Sequence, residues 1–220
     1  LNDEKTEKVL RERLSGLENA VIPGFYGCGA DGYVKTFSRG GSDVTGSIVA
    51  GAVKASLYEN WTDVSGFLVA DPRIVDDPAV IRTITYTELR ELSYMGASVL
   101  HEAAIFPVRS AGIPINIRNT NAPDEPGTMI VPDSTDEELS AYTITGIAGK
   151  KDFTSINIHK DLMNSQIGFC RDVLNVLSEH QIPLEHMPSS IDSMTVIVDS
   201  AHLNGLEDEI RTEIIKAVQP

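Results

Sequence analysis

The sequence predicts an α/β layered domain followed by a smaller α+β unit, and three observations carry that expectation. Over residues 1–131, helical stretches alternate with short apolar strands, the pattern of a sheet covered by helices. The acidic, polar stretch PDSTDEELS at 132–140 then breaks the pattern, as a linker would. Beyond it, at 141–220, the order becomes strand, helix, two strands and helix, which is most of a ferredoxin-like βαββαβ unit lacking its closing strand.

Each element has a local reason. Residues 3–15 place Val9, Leu10 and Leu14 at helical spacing, with Gly16 near the end. Residues 20–22 read as a buried strand, and 33–37 as a second strand after the Ala30-Asp31-Gly32 turn. A small-residue helix follows at about 42–57, then strands at 59–62 and 67–70. Helices are expected at 87–94 and 99–111, before an alternating strand at 113–117. In the second part, strands are expected at 153–158, 182–187 and 194–198, with an additional one at 143–148. Helix 166–180 carries Ile167, Cys170, Leu174 and Leu177 on one face, and helix 203–218 carries Leu206, Ile210 and Ile214.

Bulk properties exclude some functions. A net charge of −14 disfavours a nucleic-acid surface, which must be basic, but leaves nucleotide substrates open. No apolar run approaches the ~18 residues that span a bilayer, and the polar start lacks a signal-peptide pattern, so a cytoplasmic protein is expected. Cys28 and Cys170 read as buried reduced thiols. His101, His159, His180, His186 and His202 show no metal-ligand spacing, and no metal site is expected from protein ligands.

Two segments could carry chemistry. In Ser38-Arg39-Gly40-Gly41-Ser42-Asp43, paired glycines permit close backbone approach and a helix start offers free N–H groups. Arg39 suits a carboxylate or phosphate, while Asp43 could orient Arg39, hold an ammonium group or ligate Mg²⁺. A plainer reading makes Ser42 or Asp43 an N-cap and the glycines a turn. In Trp61-Thr62-Asp63-Val64, Thr62 and Asp63 end a strand, where α/β proteins bind ligands. The same segment continues in Ala70-Asp71-Pro72-Arg73, where Arg73 either faces phosphates or is solvated on a surface hairpin.

Together these stretches resemble the aspartate kinase family. The resemblance runs through Val21-Ile22-Pro23-Gly24-Phe25, both segments above, Gly96-Ala97-Ser98-Val99-Leu100-His101, Ile113-Pro114-Ile115, Arg118-Asn119-Thr120 and Gly127-Thr128, in order. It implies the C-terminal, nucleotide-binding half of an amino-acid-kinase α/β domain. It also implies ATP- and Mg²⁺-dependent phosphorylation of L-aspartate, toward lysine, threonine and methionine. By motif matching, Phe25, Arg39, Ser42 and Asp43 fall on aspartate-site positions. Thr62, Asp63, Arg73, Ser98 and Val99, with Leu68 at an aromatic-preferring position, fall on the nucleotide site. Asp43 and Ser98 are the catalytic candidates. Ser98 stands where many members carry Lys, and loss of one stabilising donor costs roughly 10²–10³ in rate.

The second part resembles an ACT domain, an amino-acid-sensing module. The resemblance implies an effector, lysine or threonine, near Met163, Asn164, Ser165, Gln166 and Gly168, with Leu184, Glu185, Ser189 and Ser190 across a homodimer interface. A plainer alternative has Ser165 capping the helix and Met163 filling core. The family's Lys-Phe-Gly-Gly phosphate loop has no counterpart in the sequence, so a fragment without turnover of its own is expected. The rivals are a non-catalytic regulatory polypeptide that dimerises through its ACT unit, and another amino-acid kinase, which the ACT-like tail disfavours.

Overall fold

The computed structural model describes residues 3–37, 40–96, 102–132 and 144–218, with side chains from residue 4 in the first stretch and residue 105 in the third. It separates into two compact units, Leu1–Gly149 and Lys150–Pro220.

The first unit is an α/β layer built on a four-stranded sheet. Helix α1 (Asp3–Leu14) precedes an antiparallel hairpin, β1 (Tyr26–Cys28) and β2 (Val34–Thr36). Then come α2 (Gly41–Val53), β3 (Tyr58–Thr62), β4 (Thr83–Thr85), α3 (Tyr86–Tyr94), α4 (Glu102–Ser110), β5 (Ile115–Asn119) and β6 (Thr128–Val131). The sheet order is β3-β5-β6-β4, with β3 parallel to β5, β6 antiparallel to β5, and β4 parallel to β6. Ile115 and Ile117 of β5, Ile130 of β6 and Ile84 of β4 are fully buried with Leu89 and Val108 beneath the helices. Each such side chain contributes about 1.5–3 kcal/mol of transfer free energy.

Local signals explain the boundaries. Thr85 and Glu88 form a reciprocal cap at the start of α3: Glu88 N donates to Thr85 Oγ1 at 3.1 Å, and Thr85 N donates to Glu88 Oε2 at 2.9 Å. The short β5–β6 connection closes on Gly127 at φ 70°, where a Cβ would lie 1.9 Å from Ile117 O. Only glycine satisfies both constraints. Next to it, Thr128 Oγ1 accepts from Phe67 N at 2.9 Å and donates to Ile81 O at 2.6 Å, stitching residues 66–81 to β6.

Several expectations change. Residues 20–22 are not a buried strand: Val21 is 99% exposed, because no strand among the described residues lies beside it to pair its backbone. Residues 67–70 make only an isolated bridge, Leu68 to Val80. Residues 144–148 form no strand and belong to the first unit, where Ile147 N donates to Val69 O at 2.8 Å and Thr145 Oγ1 bonds Glu88. The contacts therefore divide the chain between Gly149 and Lys150. Residues 133–140 of the expected linker lie outside the described residues.

In the second unit, β7 (Phe153–His159) pairs antiparallel with β8 (Ser193–Asp199) over their whole length. The strand expected at 182–187 does not form; residues 185–189 run irregularly along the other edge of β8. There Glu185 N donates to Ile197 O at 3.0 Å, and Thr195 N to Pro188 O at 2.9 Å. Helices α5 (Phe169–Glu179) and α6 (Glu207–Ala217) pack on each other. The α5 stripe differs from the expected one: Phe169, Val173, Val176 and Leu177 are buried, while Ile167 is 99% exposed. The helix starts at 169, after a 3₁₀ turn at Met163–Ser165, so Ile167 lies before it. Cys170 falls off the buried stripe and Cys28 on a hairpin strand whose residues are all exposed; both thiols are exposed, not buried.

Candidate active site

The site begins at the N-terminus of α2. Gly40, in the left-handed region, is the N-cap and no side chain caps the helix, so neither Ser42 nor Asp43 does. Both instead lie in the first turn, where partly free N–H groups favour negative charge. Phe25 is fixed against this turn at φ 81°, a conformation that costs a non-glycine residue of order 1–3 kcal/mol. Its N–H donates to Gly41 O at 3.3 Å and Thr45 Oγ1 at 3.2 Å, and its carbonyl accepts from Phe37 N at 3.0 Å.

Strand β3 supplies the wall. Its alternation places Tyr58, Asn60 and Thr62 half-buried on one side and Glu59 and Trp61 exposed on the other. Asn60 Nδ2 donates to Asp43 Oδ1 at 3.0 Å and to Tyr58 Oη at 3.3 Å. Tyr58 Oη in turn donates to the Asp43 carbonyl at 3.3 Å. The ring reaches α2 only because residue 46 is glycine, since a Cβ there would lie 2.6 Å from Tyr58 Oη. Burial pushes the Tyr58 hydroxyl pKa up and the Asp43 charge adds to this, against the Asn60 hydrogen bond, so the phenol remains a neutral donor.

Two residues beyond Asn60, the carboxyl ends of β3 and β5 form a rim. Thr120 donates to Thr62 O through both its N–H at 2.8 Å and its hydroxyl at 2.9 Å. Asn119 Nδ2 donates to Ser65 Oγ at 2.9 Å, and Thr62 Oγ1 to Asp63 Oδ1 at 3.2 Å. Across the sheet, the Arg118 guanidinium lies 4.8 Å from the Trp61 ring centroid and donates to Pro123 O at 2.6 Å and Glu125 O at 3.3 Å. It thereby pins the loop that follows the rim.

A sequence model described as "Amino acid kinase family" matches residues 2–119, more than half of the chain. The chain belongs to the amino acid kinase family.

Among its relatives, Bacillus subtilis aspartokinase 3 is 45% identical over 96% of this chain. The crystal structure of Clostridium acetobutylicum aspartate kinase matches 100% of the chain at TM-score 0.88 and 56% identity. That of E. coli aspartokinase III in complex with lysine and aspartate matches 96% at TM-score 0.65 and 28% identity. The chain spans 44% of the Bacillus protein and about half of the two solved chains, 51% and 47%.

Within this kinase fold, Asp43 and Thr62 are joined through α2, Asn60 and β3, with Phe25 and Ser42 at the same helix end. Arg39, Ser98 and Val99 lie outside the described residues. Leu68 sits in the bridge to Val80, away from regular strand. Arg73 is exposed and forks onto Asp71, with Nη2 to Oδ2 at 2.6 Å and Nε to Oδ1 at 2.9 Å. The pair raises the Arg73 pKa. Sequence reading missed Tyr58 and Asn60. Their signal was the period-2 pattern, which aligns them with Thr62, and the oddity of a polar Asn in a parallel strand.

In the second unit, Met163 is buried and Asn164 N donates to Ile191 O at 3.1 Å. Ser165 Oγ bonds Asn164 Oδ1 at 3.4 Å, and Gly168, not Ser165, is the cap residue of α5. Lys160 Nζ bonds Gln166 Oε1 and donates to Val218 O at 3.0 Å. Glu185 is half-buried, whereas Leu184, Ser189 and Ser190 are exposed. The fold also brings His180 to Glu209 and Glu213 on α6, with ligand-type atoms within 4.8 Å of one another, a grouping invisible in the spacing of the histidines. His180 Nε2 and Glu213 Oε2 lie 2.8 Å apart, an ion pair that raises the histidine pKa. Among the described residues no helix is long and apolar enough to cross a membrane.

Proposed function

We propose that this chain is part of an aspartate kinase, in which it contributes one wall of the aspartate site and the nucleotide rim. The observation that carries the reading is the Asp43–Asn60 bond. It sets an acidic side chain at a helix N-terminus beside the strand whose end, Thr62-Asp63, forms the rim. The aspartokinase relatives support the same reading. In the reaction, an oxygen of the aspartate side-chain carboxylate attacks the γ-phosphorus of ATP. The bond from that phosphorus to the bridging oxygen breaks, giving 4-phospho-L-aspartate and ADP. Such transfer asks mainly for alignment and charge neutralisation.

The roles then divide by chemistry. Arg39 clamps the α-carboxylate and Asp43 receives the α-ammonium, each charge-assisted contact contributing roughly 1.5–3 kcal/mol. Thr62, Asp63, Arg73, Ser98 and Val99 serve the nucleotide. The oxygen donors at the rim, Thr62 and Asp63, suit the hard Mg²⁺ ion that accompanies ATP. That ion supplies charge neutralisation on the phosphates.

The second unit is read as an ACT-like regulatory domain that binds lysine near 163–168 and pairs with a second copy. Exposed Leu162, Ile167 and Ile191 support self-association at that loop. ATP-dependent acyl-phosphate formation by the whole protein, trapped as the hydroxamate, tests the activity. Asp43→Ala should raise the KM for aspartate at least about 10-fold and leave that for ATP nearly unchanged. Absence of aspartate-dependent ADP release, or an unmoved aspartate KM, overturns the reading.

A further inference from the structure

We infer that Asn60, backed by Tyr58, is a positioning residue that aims the Asp43 carboxylate at the α-ammonium group of the amino-acid substrate. The inference rests on the assignment of Asp43 to the aspartate site.

A carboxylate at the end of an Asp side chain rotates in a broad, roughly two-fold well, so its plane must be set by a partner. Asn60 Nδ2 provides that partner at 3.0 Å on Oδ1. Among the described residues the second oxygen of this carboxylate has no hydrogen-bond partner, which leaves it for a ligand. The other N–H of the Asn60 amide is engaged by Tyr58 Oη at 3.3 Å, and that hydroxyl donates to the Asp43 carbonyl. The ring is wedged against Gly46, so the amide is held at both ends.

The residue type matters as much as the distance. A lysine or arginine at position 60 would also bond Asp43, but its charge would cancel the negative charge that an ammonium ligand needs. Asparagine orients without neutralising, and tyrosine, kept protonated, does the same. A purely structural fastening between α2 and β3 would need neither property, since an apolar pair would fill a half-buried position without polar atoms to satisfy.

The test uses the whole kinase with Asn60→Leu, Tyr58→Phe and Asp43→Ala. Its readouts are the KM for aspartate, the KM for ATP, and the Ki of succinate, a dicarboxylate without the amine. Asn60→Leu should raise the aspartate KM about 10-fold, the worth of one oriented charge-assisted contact. The ATP KM and the succinate Ki should each stay within about twofold, because succinate has no ammonium for Asp43 to receive. Tyr58→Phe, a milder change that keeps the Asn60–Asp43 bond, should move the aspartate KM about threefold in the same direction. Should Asn60→Leu fail to fold, Tyr58→Phe carries the same comparison. Equal weakening of aspartate and succinate overturns the inference in favour of a structural role. An unmoved aspartate KM in Asn60→Leu overturns it alone if Asp43→Ala is still impaired. If Asp43→Ala is also unimpaired, the assignment of the site itself falls.

Discussion

Phe25 and Gly127 both occupy the left-handed region, but for different ends. Phe25 is held there by two hydrogen bonds to α2 and a third to Phe37, so its strain is located where a ligand is expected. Gly127 instead clears the β5 backbone, and its neighbour Thr128 is fully buried with both its hydroxyl bonds made. Gly127→Ala places a methyl carbon inside the contact distance of Ile117 O at an unfavourable φ. The substitution should destabilise by more than about 2 kcal/mol, read as a Tm lowered by several degrees in thermal unfolding. An unchanged Tm would show that the turn rearranges at little cost.

At the scale of elements, the pairing of α5 with α6 carries a charge-dependent term. His180, the C-cap residue of α5, meets Glu213 at 2.8 Å, with Glu209 of α6 and Glu179 of α5 adding negative charge. Its folded pKa is raised above the ordinary 6.5, chiefly by the Glu213 hydrogen bond. The folded state therefore holds this proton more tightly than the unfolded chain. The stabilisation is complete below the unfolded pKa and disappears as pH rises through the folded one. The Tm difference between the native chain and Glu213→Gln should be largest near pH 5.5 and shrink steadily toward pH 8.5. A difference that grows with pH, or does not move, would exclude the charged pair as its cause. Periodicity found α5 and α6 but misjudged the α5 stripe. The left-handed Gly168 starts the helix three residues later than the apolar spacing suggested, which leaves Ile167 outside it. The strands β4 and β6 were missed for a related reason. They are three and four residues long, too short for any alternation to register, and they exist because β5 offers an edge to β6 and β6 an edge to β4.

For the whole molecule, the proposed regulation implies that the second unit senses an amino acid. Calorimetric titration of the whole protein should show heat with lysine, weakened by Glu185→Ala. It should also show a dependence on protein concentration if the site is completed by a second copy. Heat with threonine and none with lysine, or lysine binding indifferent to Glu185, overturns that assignment.

What the sequence determined by itself was the alternation of elements, the two-part organisation, and the motif positions from Phe25 to Arg73. These depend on local spacing and residue type, which are written along the chain. The tertiary structure decided three things that spacing does not encode. Residues 144–149 fold onto the first unit, because Val69 and Glu88 offer partners there. His180 meets Glu213, 33 residues away, because two helices pack. Asn60 meets Asp43 because Gly46 leaves room on α2 for the Tyr58 ring, and a vacancy of that kind is a property of two surfaces in contact.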